Sequence, residues 1–160
     1  EKILRSKAAN VVVVTGHDAD QIRATLAGLD VRFIHNPDYR QGMSTSLRAG
    51  IAALNEGCAG AMICLGDMPQ VDSGLIDKLI DAFDPQSGAL IVAPMSEGRR
   101  GNPVLWARQF FPELLQLSGD AGARHLIERH RDALREVEAD GSAAFLDVDT
   151  PEALAALRKR

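Results

Sequence analysis

A short apolar run that ends abruptly at a glycine and a proline most constrains how this chain folds. Residues 61–65 read AMICL, and Gly66-Asp67-Met68-Pro69 follows directly. An apolar run of this length between turn residues predicts a fully buried strand of a parallel sheet, here ending at Gly66. Ligands of open α/β sheets bind beyond the carboxyl ends of the strands, so we expect Asp67 to meet a ligand there. Gly66 allows close backbone approach, and Pro69 stops the strand.

The Asp67 carboxylate has two interpretations. A carboxylate at such a position suits a hard cation such as Mg²⁺, held together with the phosphates of a substrate. The simpler interpretation is that Asp67 caps a helix predicted to begin near Ser73. Asp72 and Ser73 are better placed for that cap, which favours a ligand-binding role for Asp67.

Apolar strands alternate with amphipathic helices along the first part of the chain. We predict strands at 11–15, 31–35, 61–66 and 89–93, and helices at 19–27, 44–54 and 73–83. This alternation predicts a doubly wound α/β fold. The pattern loosens after Pro94, where strands are predicted at 104–107, 134–138 and 145–148 and helices at 109–117 and 121–129. No repeat or linker interrupts residues 1–160, which we predict to form one domain.

Composition excludes several classes of function. The chain has 160 residues, enough for one domain with a proper core, and its net charge of −4 gives no support for a nucleic-acid-binding face. Two cysteines are too few for a disulfide framework or a zinc site. No apolar stretch approaches the roughly 20 residues of a membrane-spanning helix, and no signal peptide is visible. We therefore expect a cytoplasmic protein that binds neither membranes nor nucleic acid.

A long polar loop, residues 36–46, follows the second predicted strand. It begins with Asn36 and leads into a helix N terminus, where free N–H groups and the helix dipole favour anions. Gly42 permits close approach, and Ser44 and Ser46 supply hydroxyl groups. Ser44 is also a good N-cap without any ligand, but so polar a loop at this edge of the sheet favours binding.

Three later segments are further candidates. Residues 97–103 (EGRRGNP) form a basic loop suited to phosphate or carboxylate, or equally an ordinary hairpin tip. In residues 117–124 (LSGDAGAR), Asp120 is foremost a candidate cap for the helix that carries Arg124, although the glycines also leave room for a bulky acceptor. Asp147 and Asp149 share one side of a short strand. One of them could complete a metal site with Asp67, or both could be solvated.

Taken together, these segments resemble the molybdenum cofactor nucleotidyltransferases, and most closely the cytidylyltransferase branch. The resemblance spans nearly the whole chain in the family order. It is carried by VVVVTGHDA at 11–19, HNPDYRQGMSTSLRAGI at 35–51, CLGDMPQV at 64–71, RRGNPVLW at 99–106, GDAGAR at 119–124 and LDVDTPEAL at 146–154.

The resemblance implies a Rossmann-like nucleotidyltransferase fold with a mostly parallel sheet and helices on both faces. It also implies transfer of a cytidylyl group from CTP to the phosphate of a molybdopterin-type cofactor, with release of pyrophosphate. Mg²⁺ is the implied metal, with Mn²⁺ as an alternative. A molybdoenzyme or its chaperone is the further partner that the resemblance implies.

The same resemblance implies roles for individual residues. Asp67 would be the catalytic residue and would bind the metal that bridges the nucleotide phosphates, with Asp149 or Asp147 as the second metal ligand. The implied nucleotide-binding residues are Asn36, Gly42, Ser44, Ser46 and Gly66. The implied acceptor-binding residues are Arg100, Asn102, Gly119, Asp120 and Arg124.

One feature of the family is not found in these residues. Members begin with a strand and a Gly-rich loop of the form LAAGxSxRMGxxK, which wraps the nucleotide phosphates, and the chain contains no such segment. The strand would lie between those ending at Thr15 and Gly66, so we expect an open slot with unpaired backbone groups there. We therefore expect native residues before Glu1, and negligible transferase activity for the 160-residue chain alone.

Several alternatives stay open at this stage. The nucleotide could be GTP, or the acceptor another phosphate, because base choice depends partly on the Gly-rich segment. The fold also hosts other chemistry, such as that of a reductase-like relative, although no GxGxxG motif is present. A non-catalytic cofactor-binding module is a further alternative. Asp67, Asp147 and Asp149 favour an enzyme, because a carrier has less need of a metal pair.

Overall fold

The computed structural model describes residues 1–119 and 123–139. Its strands are β1 (Val12–Thr15), β2 (Arg32–His35), β3 (Gly60–Ile63), β4 (Ile91–Ser96), β5 (Arg99–Arg100), β6 (Val104–Ala107) and β7 (Leu134–Glu138). Its α-helices are α1 (Ala19–Thr25), α2 (Met43–Ala52), α3 (Ser73–Ala82), α4 (Phe111–Leu115) and α5 (Arg124–Arg129). Single 3-10 turns lie at Ile3–Arg5, Tyr39–Gln41, Arg108–Phe110 and Arg131–Ala133.

The described strands form two separate sheets. β1 and β2 pair in parallel, with Thr15 opposite His35. The second sheet has the order β3-β6-β4-β5, and β7 pairs with β4. The α/β class is confirmed, but the mostly parallel sheet is not: in the second sheet only β4 and β7 pair in parallel. The reason is that the chain turns back through the β5 hairpin and inserts β6, in the opposite direction, between β3 and β4.

Strand β3 differs from its prediction in length and burial. The apolar run predicts a fully buried strand that ends at Gly66, but β3 ends at Ile63, and all four of its residues are only half-buried. One edge of β3 pairs with antiparallel β6. Its other edge, like the edge of β1 away from β2, has no strand partner among residues 1–119 and 123–139. The separation of the two sheets is consistent with the open slot expected between these strands.

Helices cover both faces of the larger sheet. Residues 91–93 of β4 and 104–106 of β6 alternate between two apolar clusters, as expected for side chains of a strand. Ile91 and Trp106 pack in one cluster with residues of α2, α4 and α5. Val92 and Leu105 pack in the other, against α3. The prediction of helices on both faces is therefore confirmed for this sheet.

The longest described helices, α2 and α3, have ten residues each. In the part of the chain that the structure describes, no helix has both the length and the apolar character needed to cross a membrane.

Two adjacent leucines of α4 test this packing. Leu114 is fully buried in the α2–α4–α5 cluster, whereas the side chain of Leu115 is 38% exposed. We expect Leu114→Ala to lower the free energy of unfolding by about 2–5 kcal/mol, because it leaves a cavity in the core. The matched change Leu115→Ala should alter it by about 0.5 kcal/mol or less. Chemical denaturation measures both, and equal losses would contradict the orientation of α4.

Candidate functional site

The turn after β3 presents a carboxylate that is unpaired within the described residues. Gly66 and Asp67 are both exposed, and they are followed by Met68, which is 6% exposed and anchors the turn in the core beside α3. The Asp72 carboxylate accepts a hydrogen bond from the Leu75 N–H at 2.9 Å, so Asp72 caps α3 as the sequence predicts. Within residues 1–119 and 123–139, no hydrogen bond or ion pair engages Asp67. Its carboxylate oxygens are therefore available to a ligand.

The segment before β6 lies at the same end of the sheet. Ile63, the last residue of β3, is paired with Val104, the first residue of β6. Pro103 and Cys64 line one small cavity, together with Met68 of the Asp67 turn. This arrangement brings Asn102, which is half-buried, to the edge where Asp67 lies.

Cys64 lies between β3 and the turn. Burial raises the pKa of its thiol to about 11. The sulfur is therefore protonated at neutral pH, and the reactive thiolate form is scarce. This agrees with the small apolar role expected of a cysteine within an apolar run.

The Arg100 guanidinium is held by two carboxylates. Its Nη1 lies 3.1 Å from Glu128 Oε1 and its Nε lies 3.2 Å from Glu136 Oε1, while its side chain is 19% exposed. These ion pairs tie the basic loop to α5 and β7. Arg124, the first residue of α5, is exposed and lies one turn before Glu128. The structure thus links two predicted acceptor segments, and the acceptor-binding roles of Arg100 and Arg124 stay predictions.

The Asn36 side chain organises the polar loop. Asn36 is 3% exposed, and its Nδ2 donates to Thr45 Oγ1 at 2.8 Å and to Ser46 Oγ at 3.0 Å. Its Oδ1 accepts a hydrogen bond from the Asp38 N–H at 3.0 Å. Asn36 therefore fastens the loop to the first turn of α2. The nucleotide-binding roles predicted for Asn36 and Ser46 stay predictions, beside this structural role.

Ser44 differs from its neighbours because its hydroxyl is unpaired in the part of the chain that the structure describes. The N-cap of α2 is Gly42, whose φ of 107° and ψ of 166° place it in a region that favours glycine, and no side chain of the described residues caps the helix there. Ser44 is 3% exposed, and in the described part of the chain its Oγ has no hydrogen-bond partner. Buried hydroxyls are normally paired, so the Ser44 hydroxyl is a candidate ligand contact.

The structure also brings residues 117–119 into contact with helix α2, which follows the polar loop. The Ser44 N–H donates to the Gly119 carbonyl at 3.1 Å, and Arg48 Nη1 donates to the Leu117 carbonyl at 3.0 Å. Gly119 has a φ of 65°, in the left-handed region. Arg48 is not among the residues that the sequence singles out, because its partner is 69 residues away and no local pattern marks the contact.

The remaining predicted residues lie outside the described ones: Asp120, Asp147 and Asp149. Within residues 1–119 and 123–139, no three or more His, Cys, Asp or Glu side chains are grouped so that they could hold a metal ion. Mg²⁺ in phosphate-transfer sites is commonly held by one or two carboxylates together with substrate phosphates. The exposed Asp67 carboxylate, which has no partner among the described residues, fits that donor chemistry.

Comparison with known proteins decides the family. Residues 1–134 match the family model of the MobA-like NTP transferase domain. The chain belongs to this family. It is thus a nucleotidyltransferase domain, as the resemblance of its segments indicates.

Two curated relatives cover most of the chain. It is 27% identical over 156 residues to the molybdenum cofactor cytidylyltransferase of Escherichia coli K12, an alignment that covers 95% of this chain and 76% of the relative. It is also 27% identical over 159 residues to the nicotine blue oxidoreductase of Paenarthrobacter nicotinovorans, with the same two coverages of 95% and 76%. The names of these two relatives denote different chemistry.

Solved structures agree on the fold. The manganese complex of Rv0371c from Mycobacterium tuberculosis H37Rv superimposes with a TM-score of 0.80 at 27% identity, covering 96% of this chain and 79% of that one. A nucleotidyl transferase from Methanothermobacter superimposes with a TM-score of 0.82 at 22% identity, covering 99% of this chain and 76% of the other. The Rossmann-like nucleotidyltransferase architecture is therefore confirmed.

The Arg100–Glu128 pair predicts a pH dependence of stability. The hydrogen bond from Arg100, supported by the charges of Arg131 and Arg100, lowers the pKa of the Glu128 carboxyl. A lowered folded-state pKa stabilises the protein above the unfolded pKa, about 4.3 for Glu, and this contribution is lost as the pH falls through the folded-state value.

We therefore expect the stability difference between the wild type and Glu128→Gln to be constant near neutral pH and to shrink as the medium becomes acidic. Denaturation at several pH values measures it. In an Arg100→Met background the stability difference caused by Glu128→Gln should be smaller and should depend less on pH. A difference that grows on acidification would contradict the ion pair.

Proposed function

We propose that this protein transfers the cytidylyl group of CTP to the phosphate of a molybdopterin-type cofactor and releases pyrophosphate. The family match and the Escherichia coli relative, aligned over 95% of this chain, support the substrates. The observation in the site that carries the proposal is the exposed Asp67 carboxylate, unpaired among the described residues, at the carboxyl end of β3. Ligands of such sheets bind at that edge.

The reaction needs alignment and charge stabilisation more than a nucleophilic side chain. An oxygen of the acceptor phosphate forms a bond to the α-phosphorus of CTP. The bond from that phosphorus to the oxygen that bridges to the β-phosphorus breaks, and the oxygen leaves with pyrophosphate. Positioning of the two substrates and stabilisation of the phosphate charges supply most of the catalysis in such transfers. A protonated Cys64 is consistent with a mechanism that has no covalent intermediate.

Each predicted residue has a place in this proposal. Asp67, with Asp149 or Asp147, would hold Mg²⁺ or Mn²⁺, and a manganese complex of a structural relative supports a divalent ion. The metal would supply charge neutralisation at the phosphates. The nucleotide side comprises Asn36, Gly42, Ser44, Ser46 and Gly66, and the acceptor side comprises Arg100, Asn102, Gly119, Asp120 and Arg124.

A second candidate is oxidoreductase chemistry. It is favoured by the relative from Paenarthrobacter, whose sequence identity to this chain, 27%, equals that of the cytidylyltransferase. The chain has no GxGxxG motif to receive a dinucleotide, which favours the transferase. Nucleotide binding discriminates between the two.

We expect CTP with Mg²⁺ to stabilise the full-length protein, and GTP or ATP to have little effect. A ligand at 100 times its Kd adds about 2.7 kcal/mol of stability, which raises the Tm by roughly 5–10 °C for a protein of this size. Thermal denaturation with each nucleotide, and separately with a nicotinamide or flavin cofactor, measures the shift. Stabilisation by GTP alone would indicate a guanylyltransferase, and stabilisation only by a redox cofactor would contradict the proposal.

The role of Asp67 is tested by a pair of isosteric changes. Asp67→Asn should reduce the rate of cytidylyl transfer by the full-length protein on the order of a hundredfold or more, as loss of a charge-organising group does. Asp72→Asn removes the same charge from the same loop region but retains a good N-cap, so it should leave the rate unchanged. Full activity of the Asp67 variant would refute the metal assignment. A wild type that binds CTP and the cofactor without turnover would instead indicate a binding module.

A further inference from the structure

Arg48 joins two segments that the proposed function assigns to different substrates. It lies on α2, four residues after Ser44, so the two side chains share one face of the helix. Its Nη1 donates to the Leu117 carbonyl at 3.0 Å. Leu117 is 5% exposed and packs in the core, just before Gly119. The Arg48 guanidinium therefore binds the main chain at Leu117, where the chain leaves the core and enters the loop.

The second connection lies one helical turn away. The Gly119 carbonyl accepts the Ser44 N–H at 3.1 Å, in the first turn of α2. Two hydrogen bonds along one helix face define both the position and the direction of the segment they hold. A single bond to Gly119 would leave the segment free to pivot, because glycine restricts the backbone least.

We propose that Arg48 is a positioning residue for the transfer reaction. It holds residues 117–119 against the first turn of α2, so that the acceptor side of the site keeps a constant place relative to the nucleotide side. This inference rests on the proposed function, in which residues 36–46 bind the nucleotide and Gly119 belongs to the acceptor side. Arg48 acts through the main chain and contacts neither substrate. Misalignment of two reactants by about 1 Å is enough to slow a reaction about a hundredfold.

Arg108 offers a matched control. Its Nη1 donates to the Asn55 carbonyl at 3.0 Å and contacts the Cys58 carbonyl at 3.5 Å. Like Arg48, Arg108 therefore binds main-chain carbonyls of a segment that follows a helix, in this case α2. These carbonyls precede β3, so they lie at the opposite end of the sheet from Asp67.

The first test needs no activity. Hydrogen exchange of the Ser44 amide reports on its bond to the Gly119 carbonyl. We expect Arg48→Met, which retains the apolar stem but not the guanidinium, to speed this exchange about tenfold or more, since bonds from charged donors are among the stronger ones. Arg48→Lys should restore part of the protection, and Arg108→Met should leave it unchanged. Unaltered protection of Ser44 in Arg48→Met would overturn the inference.

The second test separates positioning from general stability. In the full-length protein, Arg48→Met should lower kcat/KM for the acceptor about tenfold, while the affinity for the nucleotide in thermal shifts changes less than about twofold. Arg108→Met should lower the Tm about as much as Arg48→Met does. It should not lower kcat/KM for the acceptor selectively. Equal kinetic losses in both variants would show a merely structural role and overturn the inference. If the wild type transfers no nucleotide, the proposed function fails on its own, and the exchange of Ser44 still decides whether Arg48 holds the loop.

Discussion

The larger sheet depends on the antiparallel strand β6. All four of its residues are buried, and it pairs with β3 on one edge and with β4 on the other. Val104 and Trp106 pack in one apolar cluster, and Leu105 between them packs in the other. Since β6 begins opposite the last residue of β3, the loop that precedes it lies at the edge of the sheet where Asp67 lies. The direction of one strand thus sets both the core and the composition of the site.

Polar groups around the site divide into two kinds. The side chains of Asn36 and Arg100 form hydrogen bonds and ion pairs with other protein groups. These contacts give their loops a defined shape. In the described part of the chain, Asp67 has no such partner and the Ser44 hydroxyl has none either. Satisfied groups make a site rigid, while unsatisfied ones retain their affinity for a ligand. This division separates residues that build the site from candidates that contact the substrate.

Features with a local cause were predictable from the sequence. The Asp72 cap of α3 lies where the sequence predicts it, because capping depends on a side chain and an N–H three residues later. β1 and β2 follow their apolar runs for the same local reason. The apolar run predicts more burial than β3 has, because burial depends on neighbouring strands rather than on the apolar run itself.

By itself, the sequence determined the α/β class, the order of most strands and helices, and the exposed carboxylate after β3. These follow from periodicity, turn residues and caps, which act over a few residues. Tertiary structure decided the direction of β6 and the contacts of Ser44 with Gly119 and of Arg48 with Leu117. Such contacts join residues far apart in the chain through main-chain carbonyls. Every residue has a carbonyl, so no residue pattern can identify which one is bound.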